Sequence, residues 1–248
     1  MPLDVVFKIK RQKGPQDAAT WETFTIPAKP GMNVISALME IQKNPTTNRG
    51  EKTSPVTWEP NCLEEVCGAC TMVINGKVRQ ACSALVDQLD QPIVIEPMSK
   101  FPVVRDLVVD RSRMFEALKT VKAWIPLDGS WDMGPGPKQA PEVQEKAYKL
   151  SECMTCGCCL EACPNVNAKS PFIGAAAISQ VRLFNMHPTG KFHASERLEA
   201  LMGEGGIHEC GNAQNCAAVC PKEIPLTVSI AQMNRDVTIH AIRSRLGI

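Results

Sequence analysis

Twelve cysteines in a chain of 248 residues are the groups best placed to do chemistry, and their spacing says which chemistry. Cys153, Cys156, Cys159 and Cys163 read C-x2-C-x2-C-x3-C-P, a run that wraps a cubane iron–sulfur cluster. Cys210, Cys216 and Cys220-Pro221 repeat its register, with Ala213 where the second cysteine belongs. Paired runs of this kind exchange their fourth cysteine. That rule groups Cys153, Cys156, Cys159 and Cys220 as ligands of a 4Fe–4S cluster. It leaves Cys163, Cys210 and Cys216, a set of three thiolates suited to a 3Fe–4S cluster. Such centres accept and release single electrons.

A third group lies upstream. Cys62, Cys67, Cys70 and Cys82 have the C-x4-C-x2-C…C spacing of plant-type 2Fe–2S centres. One loop must aim three sulfurs at a small anionic core. Gly68 and Ala69 keep side chains out of the way, and Gly68 is free to adopt positive φ. Backbone N–H groups of such a loop can then reach the cluster sulfides and help set the potential. Cys82 arrives from the far side of a hairpin. Only Cys158 is left over, and it reads as a small buried residue. A structural zinc site would also use paired C-x2-C elements, but it closes around four ligands. The two-two-three run ending in Cys-Pro, repeated with one cysteine replaced, favours clusters over zinc or disulfides.

A net charge of +1 argues against a nucleic-acid binder. Hydrophobic residues at 44% and charged residues at 21% are the balance of a soluble globular protein, long enough for two domains. The opening MPLDVVFKIK alternates like a strand rather than a targeting signal. The apolar stretch from Phe172 to Val181 is too short to span a bilayer. The expectation is a soluble chain that stays where it is made.

The elements that must position the cysteines follow from pattern. Leu3–Lys10 and Thr20–Ile26 are strand-like across a turn at Lys13-Gly14-Pro15. Asn33 can cap a helix carrying Val34, Ile35, Leu38, Met39 and Ile41. Thr71–Ile74 and Val78–Cys82 flank the hairpin turn Asn75-Gly76-Lys77, and Pro92–Ile95 is a further strand. Fold analogy turns this order into a β-grasp ferredoxin-type domain over residues 1–104. From residue 105 to 248 an all-helical, bacterial-ferredoxin-like domain with two clusters is expected, giving an α+β chain. Its helices are placed at Asp106–Trp124, Pro141–Ser151, Gly174–Phe184, Ser195–Met202 and Leu226–Ile242, with an irregular loop over Asp128–Pro141.

Taken together, NCLEEVCGACTMVINGK, EPMSKFPVVRDLVVDRSRMF, CMTCGCCLEACPN and CGNAQNCAAVCPKEIPL resemble the iron–sulfur subunit of the succinate dehydrogenase/fumarate reductase family, over essentially the whole chain. The resemblance implies a flavoprotein partner carrying covalent FAD, where succinate and fumarate interconvert, and a membrane anchor of cytochrome b type that holds heme and binds quinone. This chain would be the wire between them, peripheral on the cytoplasmic face of the membrane, and it would have no dicarboxylate site. Members with a quinone site beside the 3Fe–4S cluster have aromatic residues after the first Cys-Pro and often a histidine after the first cysteine of the last run. Here Asn165, Val166, Asn167 and Ala168 follow Cys163-Pro164, and Gly211 follows Cys210. The wording is closer to the menaquinone-reactive type with a single di-heme anchor, so quinone contacts are expected mainly in the anchor.

The remaining candidates have ordinary readings. His187, His193, His208 and His240 share no ligand spacing and read as surface or packing residues, with His208 the only candidate for tuning a nearby cluster. Pro164 and Pro221 turn the chain after a ligand. Arg105, Arg111 and Arg113 beside Asp106 and Asp110 read as a solvated helix face. Trp124 and Trp131 read as core or interface. Two further functions stay open from sequence. One is fumarate reduction by the same design. The other is a free ferredoxin-like carrier, or the iron–sulfur subunit of a different flavoprotein dehydrogenase or heterodisulfide-type reductase, although a free carrier is usually smaller and more acidic.

Overall fold

Alternation of apolar and polar residues makes Asp4–Arg11 a strand, β1, whose Val5, Phe7 and Ile9 are buried while Asp4 and Lys8 face solvent. The computed structural model describes residues 4–125 and 138–247. The Gly-Pro-rich segment expected as a loop and Trp131, expected as core or interface, lie outside the described residues, apart from the loop's last residues. β1 pairs antiparallel with β2 (Thr20–Pro27), setting Phe7 opposite Phe24. The hairpin β3 (Thr71–Ile74) and β4 (Lys77–Gln80) turns at Asn75 and Gly76, both at positive φ as a tight hairpin requires. Asn75 is more than a turn residue. Its backbone N–H donates to the Val94 carbonyl, and its side-chain oxygen accepts the Val94 N–H at 2.7 Å. This ties the hairpin to β5 (Ile93–Glu96), which runs parallel to β1. The resulting five-stranded sheet has the order β2-β1-β5-β3-β4.

Helix α1 (Val34–Lys43) buries Val34, Ile35, Ala37, Leu38 and Ile41, whereas Met39 is exposed. Asn33 starts it as expected. Its side-chain oxygen accepts the Ser36 N–H, and the Ser36 hydroxyl accepts the Asn33 N–H, each at 2.9 Å. The spare Asn33 amide donates to the Cys82 carbonyl at 2.9 Å, so the helix start holds the fourth cysteine of the upstream group.

The helix expected over Asp106–Trp124 begins only at Ser112. Residues before it form a small hairpin, β6 (Val103–Arg105) and β7 (Val108–Val109), so the segment from residue 105 is not helical throughout. Its β-branched valines suit strands, and Asp106 sits at φ 47 in the turn. Asp106 is 2% exposed and accepts two hydrogen bonds from Arg11, at 3.0 and 3.2 Å, plus the N–H groups of Gln12 and Thr57. It is a buried junction, not part of a solvated face.

Among the described residues the regular elements from Ser112 onward are helices: α2 (Ser112–Thr120), α3 (Pro141–Ser151), α4 (Cys158–Glu161), α5 (Gly174–Met186), α6 (Ala194–Met202), α7 (Asn215–Ala218) and α8 (Leu226–Leu246), with short 3-10 turns between. α5 packs against α2, α3, α6 and α8, and its Ala175, Ala176, Ala177 and Ile178 let them approach. Trp124 is half-exposed, and its carbonyl accepts from the buried Arg197 at 2.7 Å. The chain divides into two compact units: Met1–Arg111 with Met154–Glu161, and Ser112–Cys153 with Ala162–Ile248.

Arg11→Met would leave Asp106 buried without its cation. Removing one partner of a buried pair costs about 3–5 kcal/mol. The urea midpoint, followed by circular dichroism, is expected to fall accordingly, and an unchanged midpoint would refute the role given to this pair.

Candidate iron–sulfur cluster sites

The Cys62–Cys70 loop is built from left-handed residues. Leu63, Glu65 and Gly68 have φ of 63, 55 and 72, and they turn successive N–H groups inward. Cys62 Sγ accepts from the N–H of Glu64, Val66 and Cys67 at 3.4, 3.3 and 3.3 Å. Cys67 Sγ accepts from Ala69 and Cys62 at 3.4 and 3.5 Å. These donors draw the Cys62 thiol down to about 7, with Glu64 first among them. Sulfurs ringed by N–H groups are prepared to be anions, as cluster-bound thiolates are. Cys70 and Cys82 are buried beneath the loop, and burial pushes the Cys70 thiol up to about 11. A polar side chain missed in the sequence, Gln80, lies there fully buried at the end of β4. Its amide donates to the Thr71 hydroxyl at 2.8 Å and to Cys158 Sγ at 3.4 Å. The signal was a polar residue at an inward strand position.

Met154–Glu161 packs beside this loop in the first unit. Thr155 and Gly157 take φ of 51 and 91 around Cys156. A Cβ added at Gly68 would lie 2.7 Å from the Cys156 Cα. Cys156 is lowered to about 7, chiefly because the Cys158 S–H donates to it. Cys158 is fully buried and its own thiol is pushed strongly up by that bond and by burial. The segment ends at Glu161, whose carboxylate accepts the N–H groups of Ser99 and Lys100 at 2.8 and 2.9 Å. In the second unit Cys153 follows α3, and Cys220 Sγ accepts the Ile224 N–H at 3.5 Å.

Also in the second unit, Cys163, Cys210 and Cys216 line one pocket, and Ala213 lines it with them. Burial raises the Cys216 thiol, and the neighbouring Cys163 and Cys210 add to the effect. Asn212 and Gln214 flank Ala213 at φ 54 and 63. The two departures noted after Cys163 and Cys210 meet here. A Cβ added at Gly211 would lie 2.9 Å from the Asn165 side-chain oxygen, and the Asn165 amide donates to the Glu209 carbonyl at 2.9 Å. His208 is exposed beside Glu209, and His187, His193 and His240 serve turns and surface pairs. Among the described residues no three His, Cys, Asp or Glu groups converge to hold a single metal ion. A cluster makes no such demand, because its thiolates bind different irons.

Of the arginines read as a solvated face, Arg105 is exposed as expected, but Arg111 and Arg113 have structural work. Arg113 donates to the carbonyls of Asn167, Ser170 and Phe172 at 2.8, 2.6 and 3.1 Å, pinning the chain after Cys163. Arg111 holds the carbonyls of Gly68 and Ala69.

Residues 6–116 match the model of a 2Fe-2S iron-sulfur cluster binding domain, and residues 149–224 match that of a 4Fe-4S dicluster domain. The succinate dehydrogenase iron-sulfur subunit of Bacillus subtilis strain 168 is 64% identical over 241 residues, 97% of this chain and 95% of that protein. This chain belongs to the succinate dehydrogenase iron–sulfur subunit family. The family extends to a fumarate reductase iron-sulfur subunit of Haemophilus influenzae, 30% identical over 85% of this chain and 83% of that one. In fold the chain matches one from a structure titled Mycobacterium smegmatis Sdh1 complex in the apo form, with a TM-score of 0.80 at 23% identity and 96% of each chain covered. 2Fe–2S, 4Fe–4S and 3Fe–4S centres are the cofactors of a family member with this cysteine pattern.

Gly68→Ala adds a methyl group into the Cys156 backbone at a φ of +72, where a side chain is also strained. The loop is expected to shift and the 2Fe–2S EPR signal to weaken or broaden. An unaltered signal would show that the loop has room to spare.

Proposed function

We propose that this chain is the electron-transfer subunit of a succinate dehydrogenase, carrying electrons from FAD in a flavoprotein partner to quinone at a membrane anchor. Cys62, Cys67, Cys70 and Cys82 hold the 2Fe–2S centre. Cys153, Cys156, Cys159 and Cys220 hold the 4Fe–4S centre, and Cys163, Cys210 and Cys216 the 3Fe–4S centre. When bound, the clusters supply one-electron sites whose potentials follow cluster type, charge and hydrogen bonding. The protein's part is to hold sulfurs at fixed places, donate N–H groups to them and keep water away. The carrying observation is the meeting of Cys163, Cys210 and Cys216 with Ala213 at one pocket, which on this reading gives three thiolates and one corner without a ligand.

The sheet order, with its helix and hairpin, supports a β-grasp reading of residues 1–104, and the run of helices supports a bacterial-ferredoxin-like reading of most of 105–248. No helix among the described residues is long and apolar enough to cross a membrane. On this reading the chain is held at the cytoplasmic face by its anchor, a cytochrome b-type subunit expected to carry two hemes. On the same reading succinate chemistry belongs to the flavoprotein, and this chain is expected to have no dicarboxylate site. Asn165 and Gly211 packed together, in place of an aromatic residue and a histidine, favour menaquinone bound mainly by the anchor. Fumarate reduction is the alternative direction, and the more distant fumarate reductase relatives give it less support. Purification from membranes is expected to bring down a flavoprotein and a heme-containing anchor with succinate:menaquinone reductase activity. A complex that reduces fumarate from menaquinol but does not oxidise succinate would reverse the reading.

Cys220→Ser is expected to damage the 4Fe–4S centre and Cys158→Ser to spare all three, as read by EPR of reduced and oxidised membranes. Loss of the 3Fe signal with the cubane intact in Cys220→Ser would break the ligand assignment.

Ala213→Cys supplies the missing thiolate and is expected to convert the 3Fe–4S centre into a cubane of lower potential. For one electron ~59 mV is a tenfold change in equilibrium, so quinone reduction should slow while an artificial acceptor at the flavin still works. An undiminished 3Fe signal in the oxidised variant would mean that Ala213 does not face the open corner.

A further inference from the structure

Arg111 follows the β6–β7 hairpin and reaches the back of the first cysteine loop. Its Nη1 donates to the Gly68 carbonyl at 2.7 Å and its Nη2 to the Ala69 carbonyl at 2.6 Å. Both carbonyls lie between Cys67 and Cys70. The side chain is 16% exposed, and the carboxylate facing it, Glu59, stands off at 3.9 Å and is half-exposed. A pair that long and that wet cancels only part of the guanidinium charge, so neutralising Glu59 would release the rest. The buried Arg111 Nε has no partner among the described residues. Gly68, gripped on its carbonyl side, is packed directly on the Cys156 backbone. One fixed cation thus stands behind two cysteine loops of the same unit.

We propose that Arg111 is a positioning residue that raises the reduction potential of the 2Fe–2S centre and, to a smaller extent, of the centre that Cys156 ligates. Reduction adds one negative charge to a cluster. A cation held by carbonyls of its binding loop, and shielded from water, stabilises that added charge. Holding the loop in shape needs only donors, which a neutral amide also has. Raising the potential needs the charge itself.

The inference rests on the reading of Cys62, Cys67, Cys70 and Cys82 as 2Fe–2S ligands, and the experiment separates the two. EPR-monitored redox titration is run on the assembled membrane complex with the unmodified chain and with Arg111→Gln, Arg111→Lys and Glu59→Gln. In Arg111→Gln the 2Fe–2S midpoint is expected to fall by about a tenfold change in equilibrium, ~59 mV, with a smaller fall at the 4Fe–4S centre. Arg111→Lys keeps the charge and should stay near the unmodified value. Glu59→Gln leaves the loop untouched and should raise the midpoint. Absence of a 2Fe–2S signal from the unmodified complex would sink the ligand reading. A normal signal whose midpoint is unmoved in Arg111→Gln, or falls equally in Arg111→Lys, would overturn the role of Arg111. If Arg111→Gln loses its cluster, Glu59→Gln decides: a rise supports the proposal and an unmoved midpoint overturns it.

Discussion

Gly68 lying on the backbone of Cys156 is the contact around which the first unit is arranged. The absence of a side chain lets one cysteine loop press on another, closer than any Cβ would allow. Each loop must also turn its N–H groups toward sulfur, which needs left-handed residues in quick succession. Leu63, Glu65 and Thr155 adopt that conformation against their own preference. Such strain persists only when the surroundings over-determine it. Here they do, through Arg111 on the Gly68 and Ala69 carbonyls, Asn33 on the Cys82 carbonyl, and Glu161 on Ser99 and Lys100.

Buried polar groups carry most of that work. Gln80, Asp106 and Arg11 are nearly or wholly inaccessible, and each has its partners supplied. A buried polar group without partners is costly, so these networks allow few alternative arrangements and keep the loops in register with the sheet. Cys158 belongs to the same logic. It takes an N–H from Gln80 and offers its S–H to Cys156.

The second unit solves the problem with helices. Small residues on α5 let its neighbours pack closely, while Arg113 and Arg197 collect carbonyls at the ends of irregular segments. The pocket shared by Cys163, Cys210, Cys216 and Ala213 is walled on one side by Thr227 and Ile230 of α8. A long, mostly solvated helix therefore contributes one end to the site, with Leu226, Ser229 and Met233 as its buried stripe.

The cysteine spacing by itself determined which chemistry this protein does, because few arrangements of thiolates can wrap a cluster and each leaves a register in the sequence. Periodicity likewise placed β1, β2, the capped helix, the Asn75-Gly76 hairpin and α3, α5, α6 and α8, where local pattern and tertiary need agree. Tertiary structure alone decided the fate of the charged stretch from Arg105 to Arg113. Read locally, it has the composition of an exposed helix. In the fold Asp106 is drawn into a buried turn by Arg11, ninety-five residues earlier in the chain, and Arg111 is spent on a loop more than forty residues away. A long-range charge pair leaves no periodic trace, so only the folded chain could say where those side chains go.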